Sequence, residues 1–440
     1  MRERISNWSN FPIVEAEMKS FTSTSDLVEE VKSAESFIAR GMGRCYGDAS
    51  LEDHIISTLK YDNILDFDST KGIIEAQAGV TLDDLISFLV PKGWFLPVAP
   101  GTKYITLGGA VASDIHGKNH HVDGSFKNHI LSMQLLLASG ETTACTKESN
   151  PDLFMATCGG MGLTGIILSV RISLKKIANG FITQTSVKAK NLDEVFSLFE
   201  TYKDAMYSVA WIDCLQSGDN IGRSLLMVGE HAKPEEIVTK ENKPQKEHPP
   251  WLGIPFAFPD MVMNRFSVKA FNFLFYHKQF RKIQKSLVTF DKFFFPLDFI
   301  KNWNRMYGKR GFIQYQFVLP LDKSKEGLEK ILLEINRQGM GSFLAVLKLF
   351  GEGDGLISFP LRGYTLALDF PMRKGLFEFL DHLDELVLAH GGRIYLTKDA
   401  RMKRDVFWKS YPGAEKFKKI ILDVNPSLKW KSKQAERLLL

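Results

Sequence analysis

Apolar residues fall at every second position of GIILSVRISL (165–174), so Ile166, Leu168, Val170, Ile172 and Leu174 share one face of a predicted strand. GIIEAQAGV (72–80) also reads as a strand, and HILSMQLLLASGE (129–141) as a strand running into a Ser-Gly turn. Between the first two lies TLDDLISFLV (81–90), with helical spacing, Thr81 as its cap, and Asp83 and Asp84 at the positive end of the helix dipole. Residues 1–178 thus alternate short strands and short helices separated by glycine turns. Beyond them YSVAWIDCL, RSLLMVGE, FIQYQFVLP, SFLAVLKLF and GYTLALDF read as strands, whereas SKEGLEKILLEINRQ and KGLFEFLDHLDELVLAHGG read as helices. That order predicts an α+β domain with helices on one face of a sheet.

Three stretches break the pattern. GGAVASDIHGKNHHVDGSFKNH (108–129) holds four histidines, two lysines and four glycines, too much glycine for a helix interior and too much polarity for a buried strand. AKPEEIVTKENKPQKEHPP (232–250) is polar and proline-rich, the composition of a flexible excursion. Residues 251–310 carry twelve of the 33 phenylalanines, with eleven Lys/Arg against three Asp. Aromatic bodies with basic heads suit a membrane surface, and an amphipathic helix packed on its own core fits the same composition.

A chain of 440 residues predicts more than one domain, and 44 % hydrophobic with 24 % charged residues is a globular mix. A net charge of +5 is too small to point to nucleic acid. Cys45, Cys145, Cys158 and Cys214 form no CxxC pair and leave the second half of the chain without cysteine, so neither a zinc knuckle nor a disulfide framework is expected. The N-terminus lacks the apolar core of a signal peptide, and no uncharged apolar run reaches 18 residues. These features predict a cytoplasmic protein, or one peripheral at the inner membrane.

Three glycine loops carry the chemistry. ARGMGRCYGD (39–48) can present backbone N–H groups and two arginines to a pyrophosphate, yet it is no GxGxxG. In APGTKYITLGGAVASDIHG (99–117), Pro100-Gly101 makes a turn and Gly108-Gly109 allow close approach to a flat ligand. CGGMGLTG (158–165) feeds the alternating strand. One long dinucleotide-like ligand between two small sub-sheets accounts for all three. A metal held by His116, His120, His121 and His129 would need imidazoles to converge from a glycine-flexible loop, and none is expected.

Together with FFPLDFIKNWNRMYG, QYQFVLP, KLFGEG and YLTKDAR, these loops resemble the decaprenylphosphoryl-ribose 2′-oxidase family of the vanillyl-alcohol-oxidase superfamily, over nearly the whole chain. The resemblance implies a two-subdomain PCMH-type FAD-binding domain (1–178), an α+β substrate domain with an antiparallel sheet (179–390, with a mobile 232–310 insertion), and a segment (391–440) returning to the active site. It implies a role in cell-envelope polysaccharide synthesis: a polyprenylphosphoryl-ribose is oxidised at its 2′-hydroxyl, and an NAD-dependent reductase partner completes epimerisation to the arabinose form. A soluble alditol or aldonolactone oxidoreductase of the same superfamily is the alternative. A non-catalytic flavin-fold partner is a third reading, disfavoured by the presence of His116, Gln316 and Lys398.

By the same resemblance FAD is non-covalent, since residues 37–50 hold no histidine tether and Cys45 stands where the family usually has Ser. It meets Arg40, Gly41, Met42, Gly43, Arg44, Cys45, Tyr46 and Gly47 of the first loop. In the second loop it meets Pro100, Gly101, Thr102, Ile105, Thr106, Leu107, Gly108, Gly109, Ala110, Ser113, Asp114, Ile115, His116, Gly117 and Asn119. Gly162, Ile166, Tyr395 and Lys398 complete the cofactor set. The catalytic set is Lys398, His116, Gln316, Gln314 and Tyr395, with His116 and Lys398 both open as the general base. Lys118, Lys348, Thr365, Ala367 and Trp211 face the substrate. Ala367 replaces a family cysteine and Thr365 a family asparagine, which leaves the exact sugar and lipid open.

Overall fold

The computed structural model describes residues 2–33, 35–237, 252–259 and 261–440. The alternating segments form three principal sheets. Four strands, in the spatial order Arg2–Ser6, Ile13–Ser20, His54–Ser57 and Ile38–Arg40, make the first. The second is antiparallel, in the order Ile64–Asp68, Ile73–Gln77, Ile166–Ser173, Ile130–Leu136 and Thr142–Cys145. Leu82–Leu89 is a helix whose cap is reciprocal: Thr81 Oγ1 accepts from the Asp84 amide at 3.1 Å, and Asp84 Oδ2 accepts from the Thr81 amide at 3.2 Å.

Two expectations for this half are corrected. The strand Ile166–Ser173 does not keep its alternating residues on one face. A register shift between Ile167 and Ser169 inserts a bulge, so Ile166 and Leu168 pack with Phe37 and Trp430, while Ile167, Val170 and Ile172 pack on the opposite side with Ile74 and Leu135. Both faces are buried. In the glycine-rich stretch a short helix, Leu107–Ala112, forms nonetheless. Thr106 Oγ1 caps it at the Gly109 amide (3.2 Å), and a Cβ on Gly108 would lie 2.9 Å from that of Ala78, so glycine lets the helix lie against the neighbouring strand's end.

The third sheet has eight strands, all antiparallel: Ile283–Thr289, Phe181–Ala189, Ser224–His231, Tyr207–Ile212, Ala345–Phe350, Gly363–Pro371, Phe312–Pro320 and Arg393–Ile394. Helices Leu192–Thr201, Leu321–Gln338 and Leu376–Ala389 cover one face. Their Phe199, Leu328, Ile331, Leu383 and Val387 share a core with Ile313, Tyr315, Phe317, Leu347 and Leu366 of the strands. The alternate residues, Gln314, Gln316, Val346, Lys348 and Ala367, point the other way, into a cavity. The fold is therefore α+β. Residues 283–289 pair with Phe181–Val187 and form an edge strand of this sheet. Of the polar 232–250 stretch, only 232–237 belong to the described residues.

The chain's end closes on its beginning. Trp430 stands edge-on to Phe37 at 4.4 Å, and Phe37 exchanges backbone hydrogen bonds with Lys429 and Lys431. From the helix Lys433–Leu438, Arg437 reaches Asp48 at 2.8 Å and Asp399 at 2.9 Å, both nearly buried. Removing one partner of such a cluster leaves uncompensated carboxylates. Arg437→Ala is expected to cost about 3–5 kcal/mol, read as a lower midpoint in urea unfolding; an unchanged midpoint would place the closure elsewhere.

Candidate active site

A cavity of about 880 Å³ lies between the open face of the large sheet and the glycine loops of the first two sheets. Arg40, Gly41, Met42, Gly43, Arg44, Cys45 and Tyr46 form one end. Gly43 has φ +62°, and a Cβ there would stand 2.1 Å from the Arg40 guanidinium. That guanidinium is fixed by Asn7 and by the Ser6 carbonyl at 2.9 Å; Arg44 stacks 3.8 Å over Trp8. The backbone amides of Met42, Gly43, Arg44 and Cys45 find no carbonyl acceptor among the described residues. Unpaired amides beside two half-buried arginines suit a pyrophosphate. The second loop adds Pro100, Gly101, Thr102, Ile105, Thr106, Gly108, Gly109, Ser113, Ile115, His116 and Gly117, and the third adds Gly162 and Ile166. A Cβ on Gly101 would meet nothing within 4 Å, so the wall there is bare backbone facing open space, as close approach of a flat ligand requires.

At the sheet end the cross-strand register sets the floor. Gln316, Ala367, Val346 and Trp211 stand side by side on four adjacent strands. Gln316 Nε2 donates to His116 Nε2 at 3.0 Å and to Thr365 Oγ1 at 3.2 Å. Burial, then the charges of Lys348, His120 and Lys398, hold the His116 imidazole far below its ordinary pKa, so the ring is neutral. It packs against Phe350, Phe359 and Tyr395, and its Nδ1 has no partner among the described residues. The Tyr395 hydroxyl donates to the Ser113 carbonyl at 3.0 Å and its amide to the Gln316 carbonyl at 2.9 Å, which ties sheet to loop. Lys398 Nζ sits 3.7 Å over the Tyr46 ring. Burial brings its pKa down to about 7, opposed by Asp369 and reinforced by Lys348. Lys348 is lowered by burial to about 8, and Lys118, which bonds the Phe293 carbonyl, by burial and Lys348 to about 7.

Several expected site residues stand behind the wall instead of in it. Gly47 packs on the backbone of 399–400, where a Cβ would lie 1.7 Å from the Asp399 oxygen. Leu107 and Ala110 are core residues. Asp114 accepts from Ser125 Oγ (2.9 Å), Ser358 Oγ (2.5 Å) and the Lys127 amide (3.0 Å), and Asn119 donates to the Pro97 carbonyl at 2.7 Å. Thr365 reaches the cavity only through Gln316. His121 and His129 bond the separate carbonyls of Ala205 and Asp123, while His120 packs on Phe350, so the imidazoles do not converge. Sequence reasoning missed Asp369 and Tyr307. The period-two face shared by Thr365, Ala367 and Asp369 was the available signal.

Residues 19–146 match the family model of the FAD binding domain. With amides, arginines and bare glycine backbone that fit the cofactor, the protein is an FAD-dependent oxidoreductase. The chain is 37 % identical to decaprenylphosphoryl-beta-D-ribose oxidase of Mycolicibacterium smegmatis, an alignment that covers all of this chain and 98 % of that protein. It belongs to that family. An uncharacterized protein of Streptomyces coelicolor is 32 % identical over 82 % of the chain. L-gulonolactone oxidase of Scyliorhinus torazame is 23 % identical, over 88 % of this chain and 86 % of that protein. A large side chain at Gly101 would compete with the cofactor for space. Gly101→Phe is expected to purify with little flavin absorbance and to unfold at the midpoint of flavin-stripped wild type; full flavin content would remove Gly101 from the cofactor wall.

Proposed function

We propose that the protein oxidises the 2′-hydroxyl of a polyprenylphosphoryl ribose to the 2′-keto sugar, with FAD bound non-covalently within residues 1–178. Residues 179–390 hold the substrate, and residues 391–440 close the site. The observation that carries this reading is the far end of the cavity. Past Gln316 and Lys348 it continues between the sheet and the helix Arg265–His277, lined by Trp211, Met227, Val262, Phe271, Phe275 and Phe343. A prenyl chain fills such an apolar trough, whereas a soluble aldonolactone makes no use of it. Lys118 and Lys348 at its inner end supply positive charge for the phosphodiester. Trp211 and the notch at Ala367 bound the sugar. The keto product is the substrate of an NAD-dependent reductase, and together the two enzymes exchange ribose for arabinose.

Bound FAD supplies the acceptor for the hydride that leaves the carbinol carbon. The chain's part is to hold that carbon and take the hydroxyl proton. Gln316 and His116 brace each other, so the imidazole lone pair is already engaged and His116 is a poor acceptor. Lys398, with a pKa of about 7, is partly neutral near pH 7 and accepts the proton at Nζ. The ammonium then stays over the Tyr46 ring as fixed positive charge for the reduced state. Below its pKa the lysine is already protonated and cannot accept, so the rate should fall as pH drops through about 7. Mixed without oxygen with a short-chain prenylphosphoryl ribose, the wild-type flavin band should bleach. Lys398→Met should keep its flavin and bleach about 10²–10⁴-fold more slowly. A flavin that stays oxidised with that substrate but bleaches with an aldonolactone would favour the alternative.

The helix Arg265–His277 faces two ways. Val268 and Phe275 line the cavity, and Asn272 donates to Asp213 at 2.8 Å. Phe266 (83 % exposed), Phe273 and Leu274 look outward, near in sequence to Phe280 (94 % exposed) and the cations Lys278, Arg281 and Lys282. Packing on the protein's own core accounts for the inner face only. We place a peripheral membrane contact on the outer one, where it would admit a lipid-linked sugar directly into the trough. Among the described residues no helix is long and apolar enough to cross a membrane. Wild-type protein should float with vesicles containing anionic phospholipid, and the pair Phe266→Asp and Phe280→Asp should not. Equal flotation of both proteins would move the contact elsewhere.

A further inference from the structure

Asp369 is a buried carboxylate that the mechanism above leaves unused. It lies on the cavity-side face of Gly363–Pro371, opposite Gln314 in the register and fully buried. Its Oδ1 accepts from Gln314 Nε2 at 2.7 Å and its Oδ2 from the Tyr307 hydroxyl at 3.0 Å, while its amide donates to Ser342 Oγ at 3.0 Å. Tyr307 is itself held in stacks with Phe312 (4.2 Å) and Phe343 (5.7 Å). Gln314 lines the cavity and interacts with Tyr46, the ring beneath Lys398. An asparagine would fill the same volume and could satisfy both side-chain partners, so packing alone does not call for a charge here.

We propose that Asp369 is a positioning residue: its carboxylate, fixed by Gln314 and Tyr307, is the buried counter-charge that sets the protonation of Lys398. The inference builds on Lys398 as the proton acceptor of the proposed reaction. Around Lys398, Asp369 and Cys45 favour the ammonium, Lys348 opposes it, and the Tyr46 ring lies below. Around Asp369, burial pushes the carboxyl up to about 7 against the hydrogen bonds from Gln314 and Tyr307 and the charge of Lys398, which favour the carboxylate. A carboxylate near an ammonium raises the lysine's pKa, so removing it must lower that pKa.

The test reads the lysine and the reaction separately in the FAD-loaded enzyme. With ¹³Cε-lysine labelling, the Lys398 signal is assigned by its loss in Lys398→Met, and its titration is followed in wild type, Asp369→Asn and Tyr307→Phe. Asp369→Asn should lower the midpoint by at least about one pH unit. Tyr307→Phe, which keeps the ring stack and removes one donor to the carboxylate, should shift it less and in the same direction. The acid limb of anaerobic flavin reduction should move with it. Unmoved lysine midpoints in both variants would overturn the proposal. A lysine midpoint that moves while the rate limb stays would uphold Asp369 and overturn Lys398 as proton acceptor. Should Asp369→Asn fail to fold, Tyr307→Phe still decides the question.

Discussion

Bringing lysine ammonium groups out of water is the constraint around which this site is arranged. Lys118, Lys348 and Lys398 are all drawn into one cavity, and burial lowers each of them towards neutrality. Flexible side chains would escape to solvent. They are retained because each is anchored by something rigid: Lys348 by a central strand, Lys118 by the Phe293 carbonyl, and Lys398 by the tight turn whose Thr397 carbonyl takes the Tyr46 amide at 2.9 Å. In the mechanism proposed above this desolvation is used, since a lysine near neutrality can take a proton that an ordinary one cannot.

The cofactor end solves the opposite problem, holding charge ready for an anion. Arg40 and Arg44 keep their guanidinium groups by bonding Asn7 and the Ser6 carbonyl and by stacking on Trp8. The helix Leu107–Ala112, which could have offered its N-terminus to the pyrophosphate, spends its first amides on the carbonyls of Val80 and Ala78. Free amides are left in the 42–45 turn instead. The amides open to an anion therefore lie in a loop, flanked by contacts of the C-terminal segment at Phe37 (Trp430) and Asp48 (Arg437).

Between these ends the large sheet acts as a two-sided plate. One face is sealed by helices, so the strands cannot shift register without exposing a core that includes Phe317, Leu347 and Leu366. The other face inherits that fixed register and presents Gln316, Ala367, Val346 and Trp211 in a row. The helix Arg265–His277 lies over the trough, with Val268 and Phe275 inward and Phe266, Phe273 and Leu274 exposed.

Much of this was written in the order of the residues. Alternation located most strands of the large sheet, Thr81 and Asp84 marked a helix start, and the glycine loops marked where backbone must stand bare. These signals are local, and local sterics and hydrogen bonding suffice to read them. Three features needed the tertiary structure. The bulge at Leu168, where the pairing with Ile130–Leu136 shifts register, turns a one-faced strand into a two-faced one, and no residue in the strand announces it. The helix Leu107–Ala112 runs through Gly108-Gly109, and at Gly108 Ala78 leaves no room for a side chain. Asp369 becomes a buried carboxylate held by Gln314 and Tyr307 only when strands 312–320 and 363–371 pair. The chain itself determined which segments pair and which loops stay open; which charges share a cavity was decided by long-range pairing, since electrostatics depends on distance in space and not along the sequence.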